Sequence, residues 1–410
     1  MLLQEKIKNN LLQFLLFILF IFITIILIQK FEKYINQKDF AKILILIILS
    51  LITFFGFLSK QLAKLNSLLL IYFILILYLT NSLFVYIDYT SLQKKNIQKL
   101  LKDKGKYFDE RTLLQVVKDE RAKGKEIYPY VVPREFLKEN YKNLIPLSPM
   151  PNTEYVSCNE YGVWKKIKTD ELGFNNEIFL KKFDILLMGD SFAEGSCVEN
   201  SFEPVKLFKI YSNKTAYNIG VSGNGPLLSL AIAHEVKKLL DFNYLVWLIY
   251  DNDFYDIMLE SNFKYLNQYN EINFKDNDYF SNLGEITIVQ KKYIKDNLSK
   301  IKTNYSLKEN LLELKPLIYK INGLIIKYNI KENYNYNSKR FKKAFDKITY
   351  IYPYKKIFVV YLPETSCFQY RSEECQKRFN HLKNSSDDIT FLSFYDFIIN
   401  QKKDYKKMYA

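Results

Sequence analysis

Histidine is almost absent from this chain, which has 2 among 410 residues, and only 4 residues are cysteine. The two histidines, His234 and His381, lie far apart in the sequence. The spacing of the cysteines matches no zinc-binding pattern; they are Cys158, Cys197, Cys367 and Cys375. The sequence therefore predicts no metal site, and no motif in it indicates a cofactor.

A basic stripe is also lacking, although the formal net charge is +15. The lysines are interspersed with aspartate and glutamate, and they accompany no known nucleic-acid-binding motif. We therefore expect solvated surfaces and lysines that flank a membrane, and no nucleic-acid partner. The sequence shows no internal repeats.

Long apolar runs are present, and they dominate the first ninety residues. Residues 11–28, 43–58 and 68–87 each approach the ~20 residues that cross a ~30 Å hydrocarbon core. The two later runs, and the lack of a small-residue cleavage site, argue against a signal peptide. Buried helices of a soluble protein are the other interpretation. We favour three transmembrane helices within residues 1–90, with membrane lipid as a partner.

One segment beyond this region, residues 184–195, points to chemistry. The four apolar residues Ile185 to Met188 predict a short buried strand, and Gly189-Asp190-Ser191 follow its end. In an open α/β sheet, ligands bind where strands end and the chain turns toward a helix. A serine placed there presents its hydroxyl above the sheet edge.

Two further strand ends complete a set. Residues 218–226 contain Gly220 in a glycine-rich turn, and residues 245–253 are an apolar strand that ends near Asn252. Ser191 is a candidate nucleophile, while the N–H near Gly220 and the Asn252 amide are candidate donors to a developing oxyanion. We expect the three residues to converge at one edge of a parallel sheet.

This arrangement resembles the SGNH (GDSL-type) hydrolase family, whose first motifs are Gly-Asp-Ser, a loop glycine and Gly-x-Asn-Asp. The match departs from the family where Tyr250 replaces the glycine of the third motif and Asp251 precedes the asparagine. Residues 158–164 and 169–176 resemble the lead-in of a bacterial subgroup associated with surface polysaccharides. The resemblance covers roughly residues 145–400.

The resemblance implies a flavodoxin-like parallel sheet sandwiched by helices, in an α/β domain preceded by the transmembrane region. It implies Ser191 as the nucleophile, Asp190 as the residue that orients its turn, and Gly220 and Asn252 as the oxyanion hole. The implied activity is that of a serine esterase or O-acyltransferase. Its substrate would be an acyl ester, either of cell-surface carbohydrate or of a small molecule.

The catalytic histidine of that family, near the C-terminus, has no counterpart here. His234 lies in the apolar-periodic segment 227–240, which predicts a helix, and His381 precedes the apolar run 389–394. We therefore expect neither to be the general base, and the 410 residues alone to hydrolyse a test ester barely above background. Either a histidine motif follows residue 410 or the base has been lost. A catalytically inactive binding or scaffolding protein is the alternative; a membrane-anchored sensor with an accidental match is a third interpretation.

The predicted organisation has three parts. Residues 1–90 form the membrane anchor, 91–150 a linker or stalk, and 151–410 the SGNH-like domain, with a helical insertion at about 254–350. The cysteines either pair, with Cys367 and Cys375 together in one loop, or remain thiols.

The membrane orientation is nearly balanced when basic residues are counted at the ends of the runs. The lysines that follow the third run favour a cytoplasmic domain, whereas the family resemblance favours an extracytoplasmic one. We expect a multi-pass protein of the bacterial cell (inner) membrane with its SGNH-like domain outside.

Overall fold

The chain divides into two compact units in the computed structural model, Met1–Lys95 with Asn304–Glu332, and Asn96–Thr303 with Asn333–Ala410. The structure describes residues 13–26, 28, 40–58, 60–86, 98–138, 145–274, 278–298, 314, 317–318, 320–321, 334–369 and 372–400.

The first unit contains three apolar helices, Gln13–Ile26, Phe40–Leu58 and Lys60–Tyr86. Polar side chains join them at isolated points. The hydroxyls of Thr24 and Ser50 lie 3.3 Å apart, and the Asn66 amide donates to the carbonyl of Ile52 at 3.1 Å. Such isolated polar contacts between apolar helices are typical of helices that pack within lipid.

Among the described residues, one helical segment is long and apolar enough to cross a membrane. It is Leu65–Leu83, with 19 residues, a mean hydropathy of 1.7 and only 11% of its most apolar stretch buried in the protein. The apolar segments Gln13–Ile26 and Lys42–Phe55 are shorter. The structure thus has helices where the apolar runs predict them, and three membrane crossings remain a prediction.

The second unit contains a small sheet whose first strand lies in the segment 91–150 that the sequence predicts to be a linker. Its order is β1-β2-β3, with β1 (Ile127–Pro129) parallel to β2 (Glu154–Val156) and β3 (Lys166–Lys168) antiparallel to β2. A helix, Leu113–Ala122, packs against it and is capped by a reciprocal Thr112–Gln115 capping box.

The interpretation of residues 91–150 as a linker is therefore wrong for residues 98–138 of the described chain. Val116, Val117 and Ile127 are fully buried and pack with Val156 in one apolar cluster. Charge and proline content suggested an exposed connector, but a short amphipathic helix needs only one apolar face to join a core.

The main sheet carries the candidate site. Its strands are β4 (Ile185–Met188), β5 (Ala216–Asn218), β6 (Tyr244–Tyr250), β7 (Lys356–Leu362) and β8 (Thr390–Ser393). Their order is β5-β4-β6-β7-β8 and every neighbouring pair is parallel. This is the 2-1-3-4-5 order of doubly wound sheets, in which connections reverse direction between the first and third strands.

Helices flank this sheet and confirm the predicted α/β class. The α-helices of the unit after the small sheet are Ser191–Glu194, Pro204–Ser212, Pro226–Val236, Asp253–Glu260, Lys264–Gln268, Leu283–Asn297, Tyr334–Ile351, Ser372–Lys383 and Phe394–Asn400. Short 3₁₀ turns lie at Pro133–Lys138, Asn200–Phe202, Tyr279–Asn282 and Thr365–Phe368. All eleven residues of Pro226–Val236 are buried, which explains why its sequence shows no polar face.

The predicted insertion at 254–350 is wrong at its C-terminal end. Helix Tyr334–Ile351 buries Phe341, Ala344, Phe345 and Ile348, and the Phe345 ring lies 5.5 Å from that of Trp247 in the sheet. This i, i+3, i+4, i+7 spacing makes it a covering helix of the sheet. Residues 304–332 belong to the first unit.

Both pairs of cysteines form disulfides, Cys158–Cys197 and Cys367–Cys375. The first joins the loop after β2 to the loop after helix Ser191–Glu194, and the second closes the loop after β7. The sequence leaves open whether the cysteines pair or remain thiols, and the structure has them paired. Disulfides of this kind persist in oxidising compartments.

Removing the long-range disulfide should destabilise the second unit more than removing the short-range one. A disulfide restricts the unfolded chain in proportion to the logarithm of the loop it closes. The sequence separations are 39 and 8, so the double variant Cys158→Ser/Cys197→Ser should lose about 4 kcal/mol of unfolding free energy. The matched Cys367→Ser/Cys375→Ser variant should lose about 2.6 kcal/mol.

Urea unfolding of the full chain, followed by near-ultraviolet circular dichroism, measures both losses. A larger loss in the short-loop variant would contradict the loop-entropy account.

Candidate active site

The three candidate residues follow neighbouring parallel strands at the same edge of the sheet. Ser191 comes after β4, Gly220 after β5 and Asn252 after β6, and β4 lies between the other two strands. The boundary between β4 and β6 is the switch point of a 2-1-3-4-5 sheet, where ligands bind in this architecture. Ser191 and Asn252 therefore flank the crevice that the topology creates.

Ser191 is the first residue of the short helix Ser191–Glu194, and Asp190 caps that helix. The Asp190 carboxylate accepts the Phe192 N–H at 2.9 Å. Gly189, with φ +146°, permits the turn, since a Cβ there would lie 2.7 Å from the Leu248 carbonyl oxygen. Asp190 thus caps the turn through a hydrogen bond to the backbone, and the role that the resemblance implies for it stays a prediction.

Gly220 has a packing role that the sequence did not indicate. A Cβ at this position would lie 2.5 Å from the Ala193 Cβ and 2.9 Å from the Glu194 nitrogen. Only glycine therefore lets the loop after β5 lie against the helix that carries Ser191. The Gly220 N–H donates to the Asn218 side-chain oxygen at 2.8 Å, so this N–H reaches an oxyanion only if that bond opens.

Asn252 faces two carboxylates. Its amide donates to Asp256 at 3.0 Å, and it also forms a hydrogen bond with the side chain of Asp190. Arg134 forms an ion pair with the other oxygen of Asp256. The structure thus brings Asn252 into contact with the residue before Ser191, and its oxyanion role stays a prediction.

Asp251, one of the two departures from the family motif, is an anchor. Its carboxylate accepts the Tyr361 hydroxyl and the Glu364 N–H, and it pairs with Arg378 at 2.8 Å. Both members of the Arg378–Asp251 pair are almost fully buried. Breaking such a pair leaves an uncompensated buried charge, so this contact holds the strand end that carries Asn252.

Several carboxyl groups at this edge are buried together. Burial is the largest cause that raises the pKa of Glu194 to about 7 and that of Glu260 to about 8. It also raises the pKa of Asp190 and of Asp253, where neighbouring carboxylates add to the effect. Because their ionised forms are poorly solvated, these groups retain protons at higher pH than exposed carboxyls do.

The buried glutamates have defined partners. Glu260 accepts the N–H groups of Gly225, Leu227 and Leu228, and so caps helix Pro226–Val236 at its N-terminus. Glu194 accepts the hydroxyls of Tyr130 and Ser222. These bonds tie the segment after β1 and the loop after β5 to the helix of Ser191.

Neither histidine lies at this edge. His234 is in helix Pro226–Val236, which starts at the carboxyl edge of the sheet and runs back toward the opposite edge. It lies eight residues beyond Pro226, about 12 Å along the axis. It is buried beside Lys237, whose Nζ lies 2.8 Å from His234 Nε2.

His381 is placed in the same way. It lies in the last turn of helix Ser372–Lys383, which runs back from the end of β7 to the start of β8. It lies nine residues beyond Ser372, about 13 Å along the axis. A general base must come within about 3 Å of the serine oxygen, or reach it through one water. The geometry therefore favours the expectation that neither histidine serves Ser191.

One described cluster has the composition of a metal site, Asp251 with Cys367 and Cys375. The two sulfur atoms are bonded to each other, so they are not thiolates and do not ligate a metal in this state.

Sequence reasoning missed the residues that hold the site together. Asn218 donates to the Ala193 carbonyl at 2.7 Å while it accepts from Gly220. Asn176 exchanges two hydrogen bonds with the backbone of Asn218, and Asn175 donates to the Glu194 carbonyl at 2.9 Å. The segment 169–176 was a visible signal, but its role depends on contacts about 20 to 40 residues away along the chain.

The chain matches no protein-family model, and no curated protein matches it in sequence. The geometry of this edge and the sequence motifs are consequently the features that indicate a function.

The second unit should lose stability as pH rises through neutrality, partly because of Glu194. Its pKa rises from 4.5 to about 7 on folding. The folded state therefore binds a proton more tightly, and this group's contribution falls between those two pH values. Glu194→Gln, which keeps an oxygen to accept one hydroxyl, should flatten the fall in unfolding free energy between pH 5 and 7.5.

Urea unfolding at several pH values measures the slope, with Glu199→Gln as the control because Glu199 is exposed. An unchanged slope in Glu194→Gln would show that this carboxyl does not titrate on unfolding.

Proposed function

We propose that this chain is a membrane-anchored serine esterase or O-acyltransferase of the SGNH (GDSL) type, acting on acyl esters of cell-surface carbohydrate. The observation that carries the proposal is the position of Ser191. It starts a helix directly after β4, at the switch point of the sheet, and Asn252 follows the neighbouring strand β6. The strand order and the three motif positions together support the SGNH assignment.

In the proposed reaction, a general base takes the proton of the Ser191 hydroxyl, its oxygen attacks the ester carbonyl and a tetrahedral oxyanion forms; the protonated base later returns that proton to the leaving group. The candidate donors to this oxyanion are the Ser191 N–H, at a helix N-terminus, the Asn252 amide if it leaves Asp256, and the Gly220 N–H if it leaves Asn218. Losing one such donor costs on the order of 10²–10³ in rate. Collapse expels the sugar alkoxide, which takes a proton, and leaves an acyl-serine. Water then releases the acid, or a sugar hydroxyl accepts the acyl group.

A non-catalytic binding protein is the second candidate, and two observations favour it. The Gly220 N–H and the Asn252 amide are both engaged within the protein. No histidine of the described chain lies near Ser191, and serine is a poor nucleophile without a base. The exposed edge of the sheet and the packed turn that carries Ser191 are compatible with both candidate functions.

The membrane anchor is proposed from the first unit. Its helices expose large apolar side chains, such as Leu79 at 62% and Phe22 at 59%. A core helix of a soluble protein would be mostly buried, whereas the most apolar stretch of Leu65–Leu83 is 11% buried. We propose three spans in the cell membrane, with the second unit outside, where its two disulfides would persist.

Ester hydrolysis by this chain should depend on Ser191 and should be stimulated by imidazole. A missing general base typically lowers the rate by 10²–10⁴, so p-nitrophenyl acetate should be hydrolysed barely above background. Added imidazole should raise the rate by taking the serine proton. Ser191→Ala should remove the protein-dependent part of that increase, while Ser201→Ala, at an exposed serine, should not.

Imidazole also hydrolyses this ester directly, so the Ser191→Ala protein at the same imidazole concentration is the blank. Equal rates for the wild type and Ser191→Ala at every concentration would favour the binding protein. A loss of imidazole-independent activity in His234→Ala or His381→Ala would show that one of these histidines is the base.

The second unit should lie outside the cell membrane. Alkaline phosphatase needs an oxidising compartment for its disulfides, so its fusion after residue 410 should be active, whereas a green fluorescent protein fusion there should be dark. Fusions after residue 59, between the second and third apolar helices, should show the reverse pattern. A fluorescent, phosphatase-inactive pair at residue 410 would place the unit in the cytoplasm.

A further inference from the structure

Two aromatic rings stand at the candidate site beside the nucleophile. Phe192 follows Ser191 directly and is 40% exposed, although it is a large apolar residue. Its ring stacks on that of Tyr250, with centroids 4.2 Å apart and an interplanar angle of 28°. Because Tyr250 covers one face of Phe192, the exposed area belongs to the remainder of that ring.

The register of the sheet accounts for this pairing. In the parallel pair of β4 and β6, Met188 lies opposite Trp247. Three residues further along the chain from each of these lie Ser191, beyond the end of β4, and Tyr250, the last residue of β6. Phe192 is therefore adjacent to Ser191 in the chain. Its partner Tyr250 ends strand β6, two residues before Asn252.

Polar groups border the rings. Burial, together with the carboxylates of Asp251, Glu364 and Asp190, raises the pKa of the Tyr250 hydroxyl to about 12. An exposed aromatic surface beside a hydroxyl suits a ligand that is apolar on one face and carries hydroxyls at its rim.

We propose that Phe192, backed by Tyr250, is the platform on which a neutral sugar ring of the substrate stacks. A pyranose presents C–H groups on a face and hydroxyls around its edge, which matches an aromatic plane bordered by hydrogen-bonding groups. The inference rests on the proposed function only for the position of the reacting ester. Sugar binding itself requires no catalysis.

Other exposed aromatic residues provide the comparison. Tyr211 is 83% exposed on helix Pro204–Ser212, away from the strand ends that define the site. If exposure alone made an aromatic ring bind sugar, Tyr211 would do so as well as Phe192.

The test is isothermal titration calorimetry of the full chain in lipid nanodiscs, with cellotetraose as the probe. Nanodiscs avoid glycoside detergents, which would compete for a sugar site. Phe192→Ala should weaken binding about three- to ten-fold, the effect of one ring contact. Phe192→Tyr should restore it, while Tyr211→Ala, on an exposed ring outside the site, should bind as the wild type does. Thermal unfolding of each variant identifies any that fail to fold, and Phe192→Leu then replaces Phe192→Ala.

No binding of cellotetraose by the wild type, or equal binding by Phe192→Ala or its replacement Phe192→Leu, would overturn the inference. So would an effect of Phe192→Ala on the KM for p-nitrophenyl butyrate without an effect on sugar binding, since the ring would then contact the acyl chain. Phe192-dependent sugar binding without Ser191-dependent hydrolysis would support the stacking role of Phe192 and contradict the proposed enzymatic function. Ser191-dependent hydrolysis without sugar binding would contradict the stacking role of Phe192 and leave the proposed enzymatic function intact.

Discussion

The contact between the loop after β5 and the helix of Ser191 is the constraint on which this site depends. Gly220 lies against Ala193 so closely that no side chain fits between them, and Asn218 fastens the two segments with both ends of its amide. Because the helix is only one turn long, it has little stability of its own. Its position, and that of the candidate nucleophile Ser191, comes from this neighbouring loop.

A second constraint is the burial of acidic groups at the same edge. Glu194 and Glu260 are almost inaccessible to water, yet each accepts hydrogen bonds from hydroxyl or backbone N–H groups. Those bonds offset part of the cost of removing a carboxyl from water. Asp251 is held differently, since its charge is paired with Arg378. The edge thus combines a rigid framework with groups that titrate near neutral pH.

These constraints bear on both candidate functions in the same way. A rigid nucleophile turn, an aromatic ring beside it and a strand-end amide suit acyl transfer to or from a sugar. They also suit a protein that only binds the sugar. The two candidate functions differ in whether a general base serves Ser191. The geometry places neither described histidine near the helix that carries this serine.

The sequence by itself determined the α/β class, the apolar helices and the placement of Ser191, Gly220 and Asn252 at strand ends. These features follow from local periodicity and from short motifs, which neighbouring residues specify. Only the tertiary structure decided that residues 98–138 join the folded unit, that helix Tyr334–Ile351 covers the sheet and that the cysteines pair as they do. It alone showed that Asp251 is an anchor, because its partner Tyr361 lies 110 residues away in the sequence. Contacts of that range are set by the packing of whole elements, which no local pattern records.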